Sequence, residues 1–90
     1  MQEFTFIIKD KNGLHARPAG AIANASKSYV SSVTISCDQK VADGKRLLSV
    51  MSLGAKCGAS LHFKIEGKDE ELAKDTLYSV CEEKLGENGK

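Results

Sequence analysis

The chain has 90 residues, 41% of them hydrophobic and 28% charged, and its formal net charge is +1 at pH 7. That length and composition predict one globular domain over residues 1–90 and exclude a disordered chain or a coiled-coil rod. The near-neutral charge excludes the basic excess typical of nucleic-acid-binding proteins, and the short apolar runs give no sign of a membrane span or a signal peptide. We therefore expect a cytoplasmic monomer with no membrane insertion.

Charge is unevenly distributed along the chain. Residues 1–56 carry eight basic and four acidic side chains, whereas residues 57–90 carry five basic and eight acidic ones. Two interpretations stay open: docking of the basic half to an acidic partner, or two solvated faces of opposite charge.

The cysteines give no sign of metal or redox chemistry. Cys37, Cys57 and Cys81 are far apart, form no Cys-x-x-Cys pair and belong to no recurring ligand spacing. We expect reduced thiols, no metal site and no cofactor.

The first half of the chain predicts a strand, a helix and a hairpin. Residues 3–8 alternate with a period of two, as in a strand with one buried face. A helix is predicted over residues 16–28, because Pro18 is tolerated only in the first turn of a helix. Residues 33–37 alternate again and lead through a turn into a short strand at residues 40–42.

The second half predicts a short helix, a strand and a longer helix. Residues 47–53 form an apolar segment closed by Gly54, and residues 60–66 alternate as a strand. Asp69 is the expected N-cap of the last helix, and residues 86–90 are expected to fray. The apolar stripe of that helix is predicted to consist of Leu72, Ala73, Leu77, Val80 and Cys81. This element order favours an antiparallel sheet with helices on one face.

The segment Gly13-Leu14-His15-Ala16-Arg17-Pro18-Ala19 is the candidate functional site. It places the His15 imidazole just before a helix whose first backbone N–H groups lack partners, which makes an anion site. The positive end of the helix favours a neutral, nucleophilic ring, and Arg17 adds a fork-shaped cation suited to phosphate oxygens. Phosphoryl transfer to His15 fits this arrangement; a structural or merely exposed histidine is the common alternative.

Two motifs together resemble the HPr family, the histidine-containing phosphocarrier proteins of the bacterial phosphoenolpyruvate-dependent sugar phosphotransferase system. They are the segment of residues 13–19 and Val50-Met51-Ser52-Leu53-Gly54, which follows at the expected distance. The likeness in length and element order covers essentially the whole chain. It implies an α+β open-faced sandwich, in which a four-stranded antiparallel sheet carries three helices on one face.

The resemblance also implies a phosphocarrier rather than a stand-alone enzyme. Phospho-enzyme I would phosphorylate His15 on Nδ1, and the phosphoryl group would pass to enzyme IIA domains of sugar permeases. Arg17 and the backbone of Ala16 and Arg17 match the groups that bind the phosphate. The expected partner-binding surface consists of Gly20, Arg46, Leu47, Leu48 and Met51.

Arg46 departs from the family pattern. In Gram-positive relatives a serine at the matching position is phosphorylated by the HPr kinase/phosphorylase, and a guanidinium cannot accept phosphate, so we expect this switch to be absent. Ser49 and Ser52 lie inside the predicted helix and do not align with that serine. Because the serine would also cap the helix, we expect Asp43 to act as N-cap of a helix that begins one turn earlier.

A regulatory binding module is the alternative function. Such a protein would keep the fold and the partner-binding surface but act by occupying partner proteins. The intact His15 and Arg17 favour a phosphocarrier, whereas Arg46 favours a specialised paralogue.

Overall fold

The computed structural model describes residues 1–86. Its strands and helices follow one another in the predicted order, and none of the helices within these residues is long and apolar enough to cross a membrane. Apart from Gly86, the predicted frayed tail lies outside the described residues. The elements are β1 (Gln2–Ile7), α1 (Ala16–Lys27), β2 (Ser32–Cys37), β3 (Lys40–Asp43), α2 (Leu47–Met51), β4 (Ser60–Glu66) and α3 (Glu70–Leu85).

The four strands form one antiparallel sheet in the order β1-β4-β2-β3. Phe63 of β4 lies opposite Phe4 of β1 and Ile35 of β2, and Ile35 lies opposite Ala42 of β3. Because directly opposite residues share a face, this row directs apolar side chains to one side of the sheet. The predicted period-two pattern therefore becomes the buried face of the sheet.

The three helices cover that apolar face. The side chains of Ile22 in α1, Val50 in α2 and Leu77 in α3 are all fully buried. Burying one aliphatic side chain of this size contributes about 1.5–3 kcal/mol relative to leaving it exposed. The sheet and helices thus form the predicted open-faced α+β sandwich, and its core fixes the position of each helix.

The buried stripe of α3 differs from the predicted one: Val80 is only partly buried against the core, and two other positions differ more. Leu72 was expected in the core but is 64% exposed, whereas Leu85, which the prediction omitted, is fully buried. The buried residues of the helix are Ala73, Leu77, Cys81 and Leu85, each four positions after the last. Leu72 precedes Ala73 by one residue, a rotation of about 100° around the helix, and therefore points away from the core.

The predicted N-cap role of Asp43 is wrong. Helix α2 begins at Leu47 with Arg46 at the N-cap position, and no side chain caps it. Asp43 instead stabilises the preceding turn: its carboxylate accepts a hydrogen bond from the Lys45 N–H (2.9 Å), and its own N–H donates to Ser49 Oγ (2.9 Å). The Arg46 N–H donates to the Asp43 carbonyl (3.1 Å), so the chain turns before the helix starts.

Asp69 occupies the predicted N-cap position of α3, but its side chain does not cap the helix. The carboxylate accepts hydrogen bonds from the N–H of Val30 (3.1 Å), the N–H of Ser31 (3.0 Å) and the Ser31 hydroxyl (2.5 Å). These bonds, the one from the Ser31 hydroxyl above all, hold the pKa of Asp69 below its ordinary value. The residue thus ties the start of α3 to the segment between α1 and β2.

All three cysteines are free. Cys37 and Cys81 are buried and Cys57 is exposed. Burial raises the pKa of the Cys81 thiol to about 12, which keeps it protonated at neutral pH.

Candidate functional site

The side chain of His15 stands at the start of α1 without taking part in the helix. His15 is the N-cap residue with extended backbone angles (φ −97°, ψ −170°), and its carbonyl accepts the Ala19 N–H at 3.0 Å. Its side chain forms no cap hydrogen bond. Within residues 1–86 the ring has no hydrogen-bond partner, whereas His62, on the opposite face of the sheet, contacts Thr5 and Glu3 at 3.0 and 2.7 Å. Both nitrogens of the His15 ring are therefore left for an incoming group.

A tight loop holds His15 in place. Gly13 adopts φ +70°, and a Cβ there would lie 2.7 Å from the Ala55 carbonyl oxygen, so only glycine fits without strain. The N–H of Leu14 donates to the same carbonyl at 2.9 Å, and the Leu14 side chain is buried. The loop before His15 is thereby fixed to the segment that follows α2.

The first turn of α1 supplies groups that attract anions. Helix geometry leaves the N–H groups of Ala16 and Arg17 without an intrahelical acceptor, while Pro18 has no N–H to leave unpaired. The Arg17 side chain is exposed and, within the described part of the chain, forms no salt bridge. The start of α1 thus places backbone N–H groups and the Arg17 side chain close to His15 in the chain; their role in binding an anion stays a prediction.

His15 and Arg17 line one cavity of about 360 Å³. A water molecule occupies about 30 Å³ in the liquid, so the cavity has room for a phosphoryl group with its hydrating water. In residues 1–86 no cluster of histidine, cysteine and acidic side chains is arranged to hold a metal ion. The other residues around the cavity are Asp10, Asn12, Pro18, Ala21, Glu83, Lys84 and Gly86.

Sequence reasoning missed the part of this cavity that α3 contributes. The N–H groups of Lys9 and Asp10 both donate to the Leu85 carbonyl, at 2.8 and 3.2 Å. These bonds bring Glu83 and Lys84 to the cavity although about 70 residues separate them from His15 in sequence. No local pattern in the sequence signals this contact, which depends on how α3 packs against the sheet and α1.

The residues of the predicted partner-binding surface differ in their exposure. Leu48 is 78% exposed and Leu47 40%, whereas Met51 is half-buried against the core. Arg46 is exposed, and a Cβ on Gly20 would meet no atom within 4 Å. We refer to Gly20, Arg46, Leu47, Leu48 and Met51 as the α2 patch; its binding role stays a prediction.

The fold and this site define a small α+β protein that presents a histidine at a helix start, in a cavity shared with an arginine. Residues 2–83 match the family model described as "PTS HPr component phosphorylation site". The phosphocarrier protein HPr of Borreliella burgdorferi is 41% identical over 76 residues, which cover 84% of this chain and 88% of that protein.

Solved structures agree with the sequence comparisons. The histidine-containing phosphocarrier protein of Mycoplasma superposes with a TM-score of 0.91 at 30% identity, covering 93% of this chain and 96% of that one. HPr-C-His from Thermoanaerobacter tengcongensis gives 0.89 at 38% identity, covering 98% and 99%. The chain belongs to the HPr family and is a phosphocarrier of the phosphotransferase system.

Proposed function

We propose that His15 is the residue that carries the phosphoryl group, accepting it from phospho-enzyme I and passing it to enzyme IIA domains of sugar permeases. The observation that supports this assignment is the imidazole without a hydrogen-bond partner within residues 1–86, at the start of α1 in a cavity shared with Arg17. The unprotonated Nδ1 attacks phosphorus in line with the departing nitrogen of the donor. One N–P bond forms as the other breaks, so no further reactant is required.

Arg17 and the start of α1 hold the transferred group in this proposal. The guanidinium presents donors in a fixed fork that fits phosphate oxygens, and the N–H groups of Ala16 and Arg17 add the positive end of the helix. Because phosphoryl transfer depends mainly on positioning and charge stabilisation, a fixed cation and fixed dipoles suffice. The hydrogen bond of Leu14 and the close packing of Gly13 against Ala55 hold the loop that positions the His15 ring beside these groups.

The α2 patch is the proposed docking surface for enzyme I and enzyme IIA domains. Two large apolar side chains, Leu47 and Leu48, are exposed beside the Arg46 guanidinium. An apolar centre with a basic rim suits an acidic partner surface, and its attraction would weaken with salt. We further propose that residues 1–90 act as a single cytoplasmic domain and dock as a monomer; the free cysteines are compatible with a reducing compartment.

Separate replacement of the two histidines by alanine tests whether His15 is the acceptor. The pure protein is incubated with enzyme I, magnesium and phosphoenolpyruvate, and intact mass is followed before and after acid treatment. We expect one acid-labile phosphoryl group on the unchanged chain and on His62→Ala. In His15→Ala the amount of phosphorylated protein should fall by about a hundredfold or more, because the nucleophile is gone.

Continued phosphorylation of a folded His15→Ala variant would place the acceptor elsewhere. No gain by the unchanged chain, with an enzyme I proven active on another carrier, would favour a regulatory binding module instead.

A further inference from the structure

The last turn of α3 is part of the cavity around His15. Glu83 and Lys84 line the same cavity as His15 and Arg17. The turn is held in place because Leu85, the next residue, is fully buried and its carbonyl accepts the N–H groups of Lys9 and Asp10. The α3 side of the cavity is therefore anchored to the loop that leads to His15.

The charges around the cavity are mixed. Arg17 and Lys84 are cationic, whereas Asp10 and Glu83 carry carboxylates. The Asp10 carboxylate accepts a hydrogen bond from the Asn12 N–H at 2.8 Å, so one carboxylate oxygen is engaged within the loop after β1. No salt bridge within residues 1–86 engages Lys84. A dianionic group on His15 would thus meet cations from two different helices, α1 and α3.

We propose that Lys84 binds the phosphoryl group carried on His15, as a second cation beside Arg17. The inference rests on the proposed role of His15. A lysine ammonium is a compact charge on a flexible stem with three rotatable donors, so Lys84 follows the phosphoryl oxygens where the planar Arg17 fork is fixed. Lys84 stabilises the phosphorylated carrier relative to the unphosphorylated one, and Glu83 opposes it. Together they set how readily the carrier keeps or gives up the group.

The equilibrium of transfer from phospho-enzyme I measures this stabilisation directly. Its constant compares phosphorylated and unphosphorylated carrier and does not depend on how tightly enzyme I docks. Lys84→Gln should lower the ratio of phosphorylated to unphosphorylated carrier by about two- to fivefold, the range of an exposed ion pair. Lys84→Arg should restore most of the ratio, and the difference should shrink in high salt.

Lys74→Gln is the matched control, because Lys74 belongs to the same helix but lines a different cavity with Phe4 and Tyr78. It should leave the equilibrium unchanged, while Glu83→Gln should shift it toward the phosphorylated carrier. Circular dichroism verifies that each variant is folded.

The outcomes separate the two proposals. If the unchanged chain accepts no phosphoryl group on His15, the proposed function fails. If it does accept the group and Lys84→Gln reaches the same equilibrium as the unchanged chain, Lys84 does not bind it. An equal shift in Lys74→Gln, or a change in rate with an unchanged equilibrium, would also overturn the assignment, since the first indicates net charge and the second docking.

Discussion

Arg46 stands at the N-cap position of α2 and leaves that helix start without a side-chain hydrogen bond. A guanidinium has donors only, so it neither accepts a helix N–H nor provides a hydroxyl for phosphorylation. The nearby hydroxyls are engaged: Ser49 Oγ accepts the Asp43 N–H, and Ser52 Oγ donates to the Ser49 carbonyl at 2.6 Å. We therefore expect no serine phosphorylation around α2 in this chain.

Arg46→Ser should change both properties. A serine at the N-cap accepts a helix N–H, which should raise the free energy of unfolding by about 1 kcal/mol, measured by urea titration. With ATP and the HPr kinase/phosphorylase, the variant should gain one acid-stable phosphoryl group that the unchanged chain does not. Acid-stable phosphate on the unchanged chain would contradict the prediction. A kinase that ignores the variant would also contradict it and would point to Gly44, where a Cβ would lie 2.5 Å from the Val33 side chain.

At the scale of elements, α2 has one side chain in the core and another exposed to solvent. Val50 is fully buried and fixes the helix on the core, whereas Leu48 is 78% exposed. An exposed leucine contributes little to folding, because it is not removed from water in the free protein. Contact with a partner would change that, because an interface that covers the leucine removes its apolar surface from water.

Leu48→Ala should therefore affect transfer and leave stability nearly unchanged. We expect the apparent KM of enzyme I for this carrier to rise by about tenfold, the equivalent of ~1.4 kcal/mol, with little change in the urea midpoint. Leu72→Ala is the matched control, because Leu72 is similarly exposed but lies on α3 outside the α2 patch. Equal effects of the two variants on the KM would contradict a docking role for the patch.

At the scale of the molecule, Asp69 links the start of α3 to the segment between α1 and β2. Its pKa is lowered mainly by the hydrogen bond from the Ser31 hydroxyl. A carboxylate with a lowered folded-state pKa contributes stability above its unfolded pKa, and this contribution is lost as the pH falls through the folded value. Glu70 behaves alike, since the amino terminus at 2.9 Å lowers its pKa.

Asp69→Asn should thus lower the free energy of unfolding at neutral pH, and this loss relative to the unchanged chain should disappear in acid. The difference in unfolding free energy between the two chains should be largest above about pH 5 and shrink below pH 3.8, the ordinary value for this carboxyl. Urea titrations at several pH values measure it. Asp75→Asn, an exposed acid on the same helix, serves as control. A difference that does not vary between pH 3 and 7 would be inconsistent with an ionised Asp69 as the cause.

The sequence by itself determined the order of elements, the buried faces of the strands and the position of His15 and Arg17 at a helix start. These features follow from local rules: period-two alternation, the restricted backbone of Pro18 and the free N–H groups of a first turn. Two motifs together, residues 13–19 and residues 50–54, also indicated the family, because each consists of residues that are adjacent in the chain.

Only the tertiary structure decided which distant groups meet. Lys84 lines the His15 cavity because the Leu85 carbonyl accepts hydrogen bonds from the loop after β1. Asp69 accepts a hydrogen bond from Ser31 instead of capping its own helix. Leu72 lies outside the core because α3 presents the stripe beginning at Ala73 to the sheet. Each of these contacts depends on the angle at which helices and sheet pack. Side chains many residues apart in the chain set that angle, so a local sequence pattern does not predict it.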